Sequence, residues 1–209
     1  MEHRRIRILV VDDHALLRAG LGASVGAESD MEIVAAASNG KEAVEQFQQH
    51  RPDVTLMDLK MPVMGGVEAI QAIRSQCPSA KVVVLSTYAG DEDIFRALEA
   101  GATTYLLKDT LAEDLVRVIR EVFAGARPLP APVAQLLADR MLQPKLTARE
   151  LDVLRLIAKG MRNKEIAAQL GIAEETTQGY VKSILLKFGL HDRTEAVAVA
   201  VRRGIVHID

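Results

Sequence analysis

Five times in its first 125 residues the chain passes from a short apolar, β-branched run to a longer stretch of helical character. The runs are Arg7 to Val11, Met31 to Ala37, Asp53 to Met57, Lys81 to Leu85 and Thr104 to Leu107, each bounded by polar, Gly or Pro residues. The helical stretches are Ala15 to Ala27, Gly40 to His50, Gly65 to Gln76, Asp91 to Ala100 and Leu111 to Phe123. Strands that are apolar throughout are buried on both faces, and strands that alternate with helices form a parallel sheet covered on both sides. The sequence therefore predicts an α/β domain with a doubly wound, five-stranded parallel sheet over residues 1–124.

The pattern then breaks, with Gly125 as a helix stop and Pro128, Pro130, Pro132 and Pro144 closely spaced. Residues 125–144 read as a linker whose middle, Val133 to Leu142, suits a short amphipathic helix. Residues 145–209 read as a small all-α domain of four helices. Thr147 with Glu150 three residues later is a capping-box pattern, opening a helix to about Lys159. A second helix, Asn163 to Leu170, stops at Gly171. A third, from Glu174, carries Val181, Ile184, Leu185 and Phe188 at a spacing that places them on one face. In the last segment, Thr194 to Arg203, Ala and Val alternate as in a strand, but the Ala content and the preceding Asp192 and Thr194 favour a helix.

At 209 residues and 49% hydrophobic content, each domain is able to bury its own core. No apolar run reaches the roughly 18 residues that cross a bilayer, and the charged start leads into a strand-like run, so a cytoplasmic protein is expected. The single Cys77 excludes an intrachain disulfide and, with no His nearby in sequence, makes a poor nucleophile. The net charge of −2 hides an asymmetry: residues 1–144 hold 15 Lys and Arg against 20 Asp and Glu, whereas residues 145–209 hold 11 against 8. The basic half is the candidate for nucleic acid.

In a doubly wound sheet the functional crevice lies outside the carboxyl ends of the strands. Asp12 and Asp13 end the first strand, Asp58 the third, Ser86 the fourth and Lys108 the fifth. Carboxylates converging there need a compensating cation, and hard oxygen ligands suit Mg²⁺. Beside that cation, an ionised Asp58 is a nucleophile able to attack phosphorus, with Lys108 neutralising the phosphoryl charge. Each residue alone has a bland explanation: Asp12 or Asp13 as a helix cap, Lys108 as a surface lysine, Ser86 as a loop-bonding hydroxyl. Their coincidence at one sheet edge favours a phosphoryl site.

Through Val11-Asp12-Asp13-His14, Met57-Asp58-Leu59-Lys60-Met61-Pro62, Leu85-Ser86-Thr87 and Leu107-Lys108, the segment from about Arg7 to Ala124 resembles the CheY-like receiver family. The resemblance implies Asp58 as phosphoacceptor and also as an Mg²⁺ ligand, Asp13 as a direct Mg²⁺ ligand, Asp12 as one acting partly through water, and the Lys60 carbonyl as a further ligand. It also implies Lys108 as the phosphate-binding cation and Ser86 and Tyr105 as the switch pair, Thr87 falling one place beyond the switch position. Asp109 stands where many receivers have Pro.

Residues 145–209 resemble the LuxR-type helix-turn-helix through Leu146-Thr147, Arg149-Glu150, Gly160, Asn163-Lys164-Glu165-Ile166-Ala167, Thr176, Tyr180-Val181 and Lys187-Phe188-Gly189. The whole chain thus resembles the NarL/FixJ class of response regulators. This implies a second helix of the pair in the major groove, with Lys164, Thr176, Gln178, Gly179 and Lys182 as DNA contacts. Ala173, Thr177 and Gln178 depart from the family's frequent Ser, Val and Lys, and Leu186 stands where Arg or Lys is usual.

The function expected is a two-component response regulator. A sensor histidine kinase phosphorylates Asp58, the chain forms a homodimer, and it binds double-stranded promoter DNA, with RNA polymerase a further partner and no membrane involved. Two other readings are an Mg²⁺-dependent aspartyl phosphatase and a regulator that binds DNA without phosphorylation. Phosphatases of the haloacid dehalogenase kind want a second Asp two residues after the nucleophile, where this chain has Lys60, so turnover of an external substrate is not expected.

Overall fold

The computed structural model describes residues 4–86, 91–108, 111–141 and 144–206. Thr87, Asp109 and Leu142 lie outside them. The elements follow in the order β1 (Ile6–Val11), α1 (Ala15–Gly26), β2 (Met31–Ala37), α2 (Gly40–His50), β3 (Val54–Asp58), α3 (Gly66–Gln76), β4 (Val82–Ser86), α4 (Asp91–Glu99), β5 (Thr104–Leu107) and α5 (Leu111–Phe123). Then come α6 (Ala131–Met141), α7 (Ala148–Ala158), α8 (Asn163–Leu170), α9 (Glu174–Phe188) and α10 (Arg193–Arg202). The chain divides into two compact units, one carrying the sheet and the other the helical segment from Gln135 onward.

The sheet has the order β2-β1-β3-β4-β5 and every pair is parallel. Its central strands β3 and β4 are buried at every residue, as their continuous apolar character requires. The edge strand β2 is half-exposed. On one face, Leu21 and Val25 of α1 and Leu115, Val118, Ile119 and Val122 of α5 pack on Ile8, Val10, Leu56, Val83, Leu85 and Leu106. On the other, α2 and α3 pack together through elements that include buried Phe47, Ala69, Ile70 and Ile73. The strand order reverses between β1 and β3, so the crevice opens there.

Strands β3 and β4 each end one residue beyond the sequence expectation. Parallel pairing runs on to Asp58 opposite Leu85 and to Ser86 opposite Leu107, which makes both polar residues the last members of their strands. The β3–α3 connection is tight. A Cβ on Gly66 would collide with the carbonyl oxygen of Asp58 and come within 2.9 Å of Leu59 Cα, so the first turn of α3 lies directly on the end of β3. Within the same connection, Val63 has φ of 69° and a side chain that is 83% exposed. A β-branched residue in the left-handed region is strained.

In the second unit, Val153, Leu154, Ile157, Ile166, Ile184, Ala200 and Val206 form the core. The capping box at Thr147 and Glu150 is present, and the segment with Ala/Val alternation is helical, its N-cap Asp192 accepting from Thr194 N and Glu195 N. Helix α8 ends at Gly171 in the left-handed conformation. Ala173 caps α9 without a side-chain hydrogen bond. Lacking a polar cap costs α9 about 1 kcal/mol, and Gly179 in its interior costs roughly another 1 kcal/mol relative to Ala.

Candidate functional site

At the carboxyl edge of the sheet the structure brings Asp12, Asp58 and Lys108 together. Lys108 Nζ lies 2.6 Å from Asp12 Oδ2 and 3.2 Å from Asp58 Oδ1, and all three side chains are buried or nearly so. Burial pushes the Asp58 carboxyl above its ordinary pKa, Lys108 opposes this, and the charge of Asp12 adds to it. The other Asp12 oxygen accepts the His14 backbone N–H at 2.8 Å. That bond closes a turn ahead of α1 and does not cap the helix, whose N-cap is His14 without a side-chain hydrogen bond, while the Lys108 bond ties the same carboxylate to the pocket.

Asp13 is placed differently. Its Oδ1 is buried and accepts no hydrogen bond, although His14 Nδ1 lies 2.8 Å away. A buried carboxylate oxygen that accepts no hydrogen bond favours a nearby positive charge, and His14 is the neighbour the chain itself supplies. Asp13, Asp58, Lys60 and Lys108 share an open cleft of about 710 Å³ with Leu16 and Leu17 of α1. Asp12, Asp13 and His14 offer ligand atoms within 4.8 Å of one another. The oxygen-rich set fits a hard divalent cation such as Mg²⁺.

Ser86 and Tyr105 are both buried, Tyr105 completely. Val84 pairs with Tyr105 and Ser86 with Leu107, so the pleat puts Ser86 and Tyr105 on one face of the sheet, two residues apart along the strand direction. Two residues of the crevice were not anticipated. His14 faces Asp13, and Arg18 Nη1 donates to the Asp12 carbonyl at 2.5 Å. Arg18 is one helical turn after His14, a spacing with no motif of its own.

In the second unit, Thr176, Gln178, Gly179 and Lys182 are exposed on α9, and Lys164 is exposed in the first turn of α8. Ile184 and Thr177 are buried. Gln178, Gly179 and Lys182 fall on the opposite side of the helix, and Leu186 continues that stripe at 81% exposure. Thr177, one of the three departures from the family's frequent residues, therefore faces inward. It lies two turns before Ile184 on the same inward face, and its hydroxyl donates to the Ala173 carbonyl at 3.4 Å.

A buried clasp joins α7 to α9. Glu150 Oε2 accepts from Thr147 N and from Lys187 Nζ, both at 2.6 Å, while Oε1 accepts from Ser183 Oγ at 2.6 Å. Burial opposes ionisation of Glu150, but the bonds from Lys187, Ser183 and Thr147 outweigh it and hold the carboxyl down to about 2. The capping pattern marked Glu150, yet nothing in local spacing announced a partner 37 residues away.

Two family models match the chain: the response regulator receiver domain over residues 8–120, and the luxR family of bacterial regulatory proteins over residues 144–200. This chain is a two-component response regulator with a LuxR-type DNA-binding domain. The response regulator protein VraR of Staphylococcus saprophyticus is 37% identical over 206 residues, covering 96% of this chain and 99% of that protein. Among solved structures, the response regulator ChrA of a heme-sensing two-component system aligns with TM-score 0.59 at 33% identity, over 96% of this chain and 98% of that one. RcsB from Salmonella enterica serovar Typhimurium, bound to promoter P1flhDC, aligns with TM-score 0.73 at 22% identity, over 94% and 98%, a likeness of fold. For this response regulator, the five-stranded parallel sheet and the helical unit are the architecture that its residue pattern predicted. No described helix is long and apolar enough to cross a membrane.

Proposed function

We propose that Asp58 is the phosphoacceptor and that its phosphorylation switches dimerisation and DNA binding. The observation that carries this is one ammonium group, Lys108 Nζ, within bonding distance of two carboxylates, Asp12 just past the end of β1 and Asp58 at the end of β3. A carboxylate oxygen of Asp58 attacks phosphorus of a phosphohistidine on a sensor kinase. The P–O bond forms, the P–N bond breaks, and the electron pair leaves with the imidazole nitrogen. Asp13, Asp12 and the Lys60 carbonyl would hold Mg²⁺, which supplies charge neutralisation for the transferring group when bound. Lys108 pairs with the phosphoryl oxygens. Ser86, at the end of the neighbouring strand, then donates its hydroxyl to the phosphoryl group, and Tyr105 on the same sheet face passes the change to the receiver surface.

The phosphorylated chain dimerises and lays α9 into the major groove of promoter DNA, Thr176, Gln178, Gly179 and Lys182 meeting bases and phosphates and Lys164 a phosphate. The setting is the cytoplasm, and RNA polymerase is the partner that reads the result. The test incubates the chain and its Asp58→Ala variant with Mg²⁺ and a small phosphodonor, then follows base-labile phosphate and DNA retention on a gel. Incorporation confined to the unaltered chain, with retention increasing alongside it, is expected. Equal labelling of the variant, or retention indifferent to the donor, sinks the switch.

A further inference from the structure

Gly179 has no structural reason to be glycine. It lies inside α9, between Glu174 and Phe188, and a Cβ built on it meets nothing within 4 Å. Among the described glycines from residue 144 onward, Gly160, Gly171, Gly189 and Gly204 have positive φ, which favours glycine; Gly179 does not. Gly179 therefore weakens its helix with no compensation inside the domain. It sits in the middle of the exposed stripe, between Gln178 and Lys182 and opposite buried Thr177 and Ile184. Glycine is the residue that lets a backbone approach a ligand closely.

We infer that Gly179 is a specificity-determining gap, which rests on the reading that α9 enters the major groove: the missing side chain admits the C5-methyl of a thymine, the group that projects from a base edge there. Gln178 and Lys182, one on either side, reach the flanking base edges or phosphates. A Cβ at this position and the methyl compete for one space.

The experiment selects duplexes from a random pool with the full-length chain, Mg²⁺ and a phosphodonor, and then compares the unaltered chain with Gly179→Ala. The variant is expected to melt higher by roughly 4–8 °C in its C-terminal unit, since helix propensity improves. It is expected to bind the selected operator at least tenfold more weakly. When each operator thymine is replaced in turn by uracil, one position is expected to restore most of the variant's affinity. A variant that binds the thymine operator as tightly as the parent, or whose loss is the same on every uracil operator, overturns the gap. So does a lower melting temperature, because the added methyl group would then have met the protein. If the unaltered chain enriches no sequence at all, the DNA-binding reading of α9 itself fails, an outcome separate from any behaviour of the variant on an enriched operator.

Discussion

Lys108 stands closer to Asp12, at 2.6 Å, than to Asp58, at 3.2 Å, so the ammonium proposed for the phosphate is shared with a second carboxylate. Both carboxylates are buried, and removing the shared cation leaves two like charges facing one another.

Lys108→Met is therefore expected to destabilise the receiver by about 3 kcal/mol without divalent cations. Added Mg²⁺ should raise the melting temperature of the variant by more than it raises that of the parent, since the cation now offsets a larger repulsion. Phosphate incorporation at Asp58 should fall sharply. Melting curves with and without Mg²⁺ decide it, and equal Mg²⁺ shifts in the two proteins would count against the cluster as a cation site.

At Gly66 the expected effect is steric. Gly66→Ala places a methyl group on the Asp58 carbonyl and on Leu59, both backbone, so the end of β3 or the start of α3 must move. Overpacking of this kind costs typically 1–3 kcal/mol, and here also displaces Asp58, the proposed phosphoacceptor. Urea unfolding should show the loss, with phosphorylation slowed in the same protein. A variant of unchanged stability would mean that the connection is looser than described.

Glu150 gives a pH dependence to the C-terminal unit. Its folded pKa is depressed to about 2 from 4.5, so its stabilisation is fully present above pH 4.5 and disappears as pH falls toward 2. The size is on the order of 3 kcal/mol. Glu150→Gln should melt lower at pH 6 and show a flatter profile between pH 4.5 and 2.5. Parallel profiles for the two proteins would assign the acid sensitivity elsewhere.

For Val63, relief of backbone strain is expected. Asn tolerates the left-handed region, and a non-glycine residue there costs roughly 1–2 kcal/mol, so Val63→Asn should stabilise the receiver by about 1 kcal/mol in chemical denaturation. A loss of stability instead would show that the exposed valine packs against something in solution.

Legibility in the sequence followed the range of the interactions. The strands, their parallel arrangement and the polar residues at their ends were readable because each rests on local apolar runs and on the rule that crevices open at carboxyl ends. The convergence of Asp12 and Lys108, 96 residues apart, followed from that rule without any contact being visible. What escaped depended on tertiary geometry. The inward placement of Thr177 follows from its register with Ile184, and the Glu150–Lys187 clasp joins two helices whose spacing carries no periodic signal. The strained backbone at Val63 likewise belongs to a connection whose path only the packing of α3 on β3 determines.

The clasp also changes what the surplus of basic residues in the C-terminal half is worth. Lys187 is consumed inside the fold by Glu150, Arg149 and Arg155 both lie near Asp152, and Arg193 donates to the Met161 carbonyl. Among the described residues of this half, the side chains of Lys145, Lys159, Arg162, Lys164, Lys182 and Arg202 have no carboxylate partner. Binding to DNA gains from each phosphate whose condensed counterions a protein cation displaces. The eleven Lys and Arg of residues 145–209 therefore overstate the cations that can do this, and the salt dependence expected of DNA binding is shallower than that count suggests.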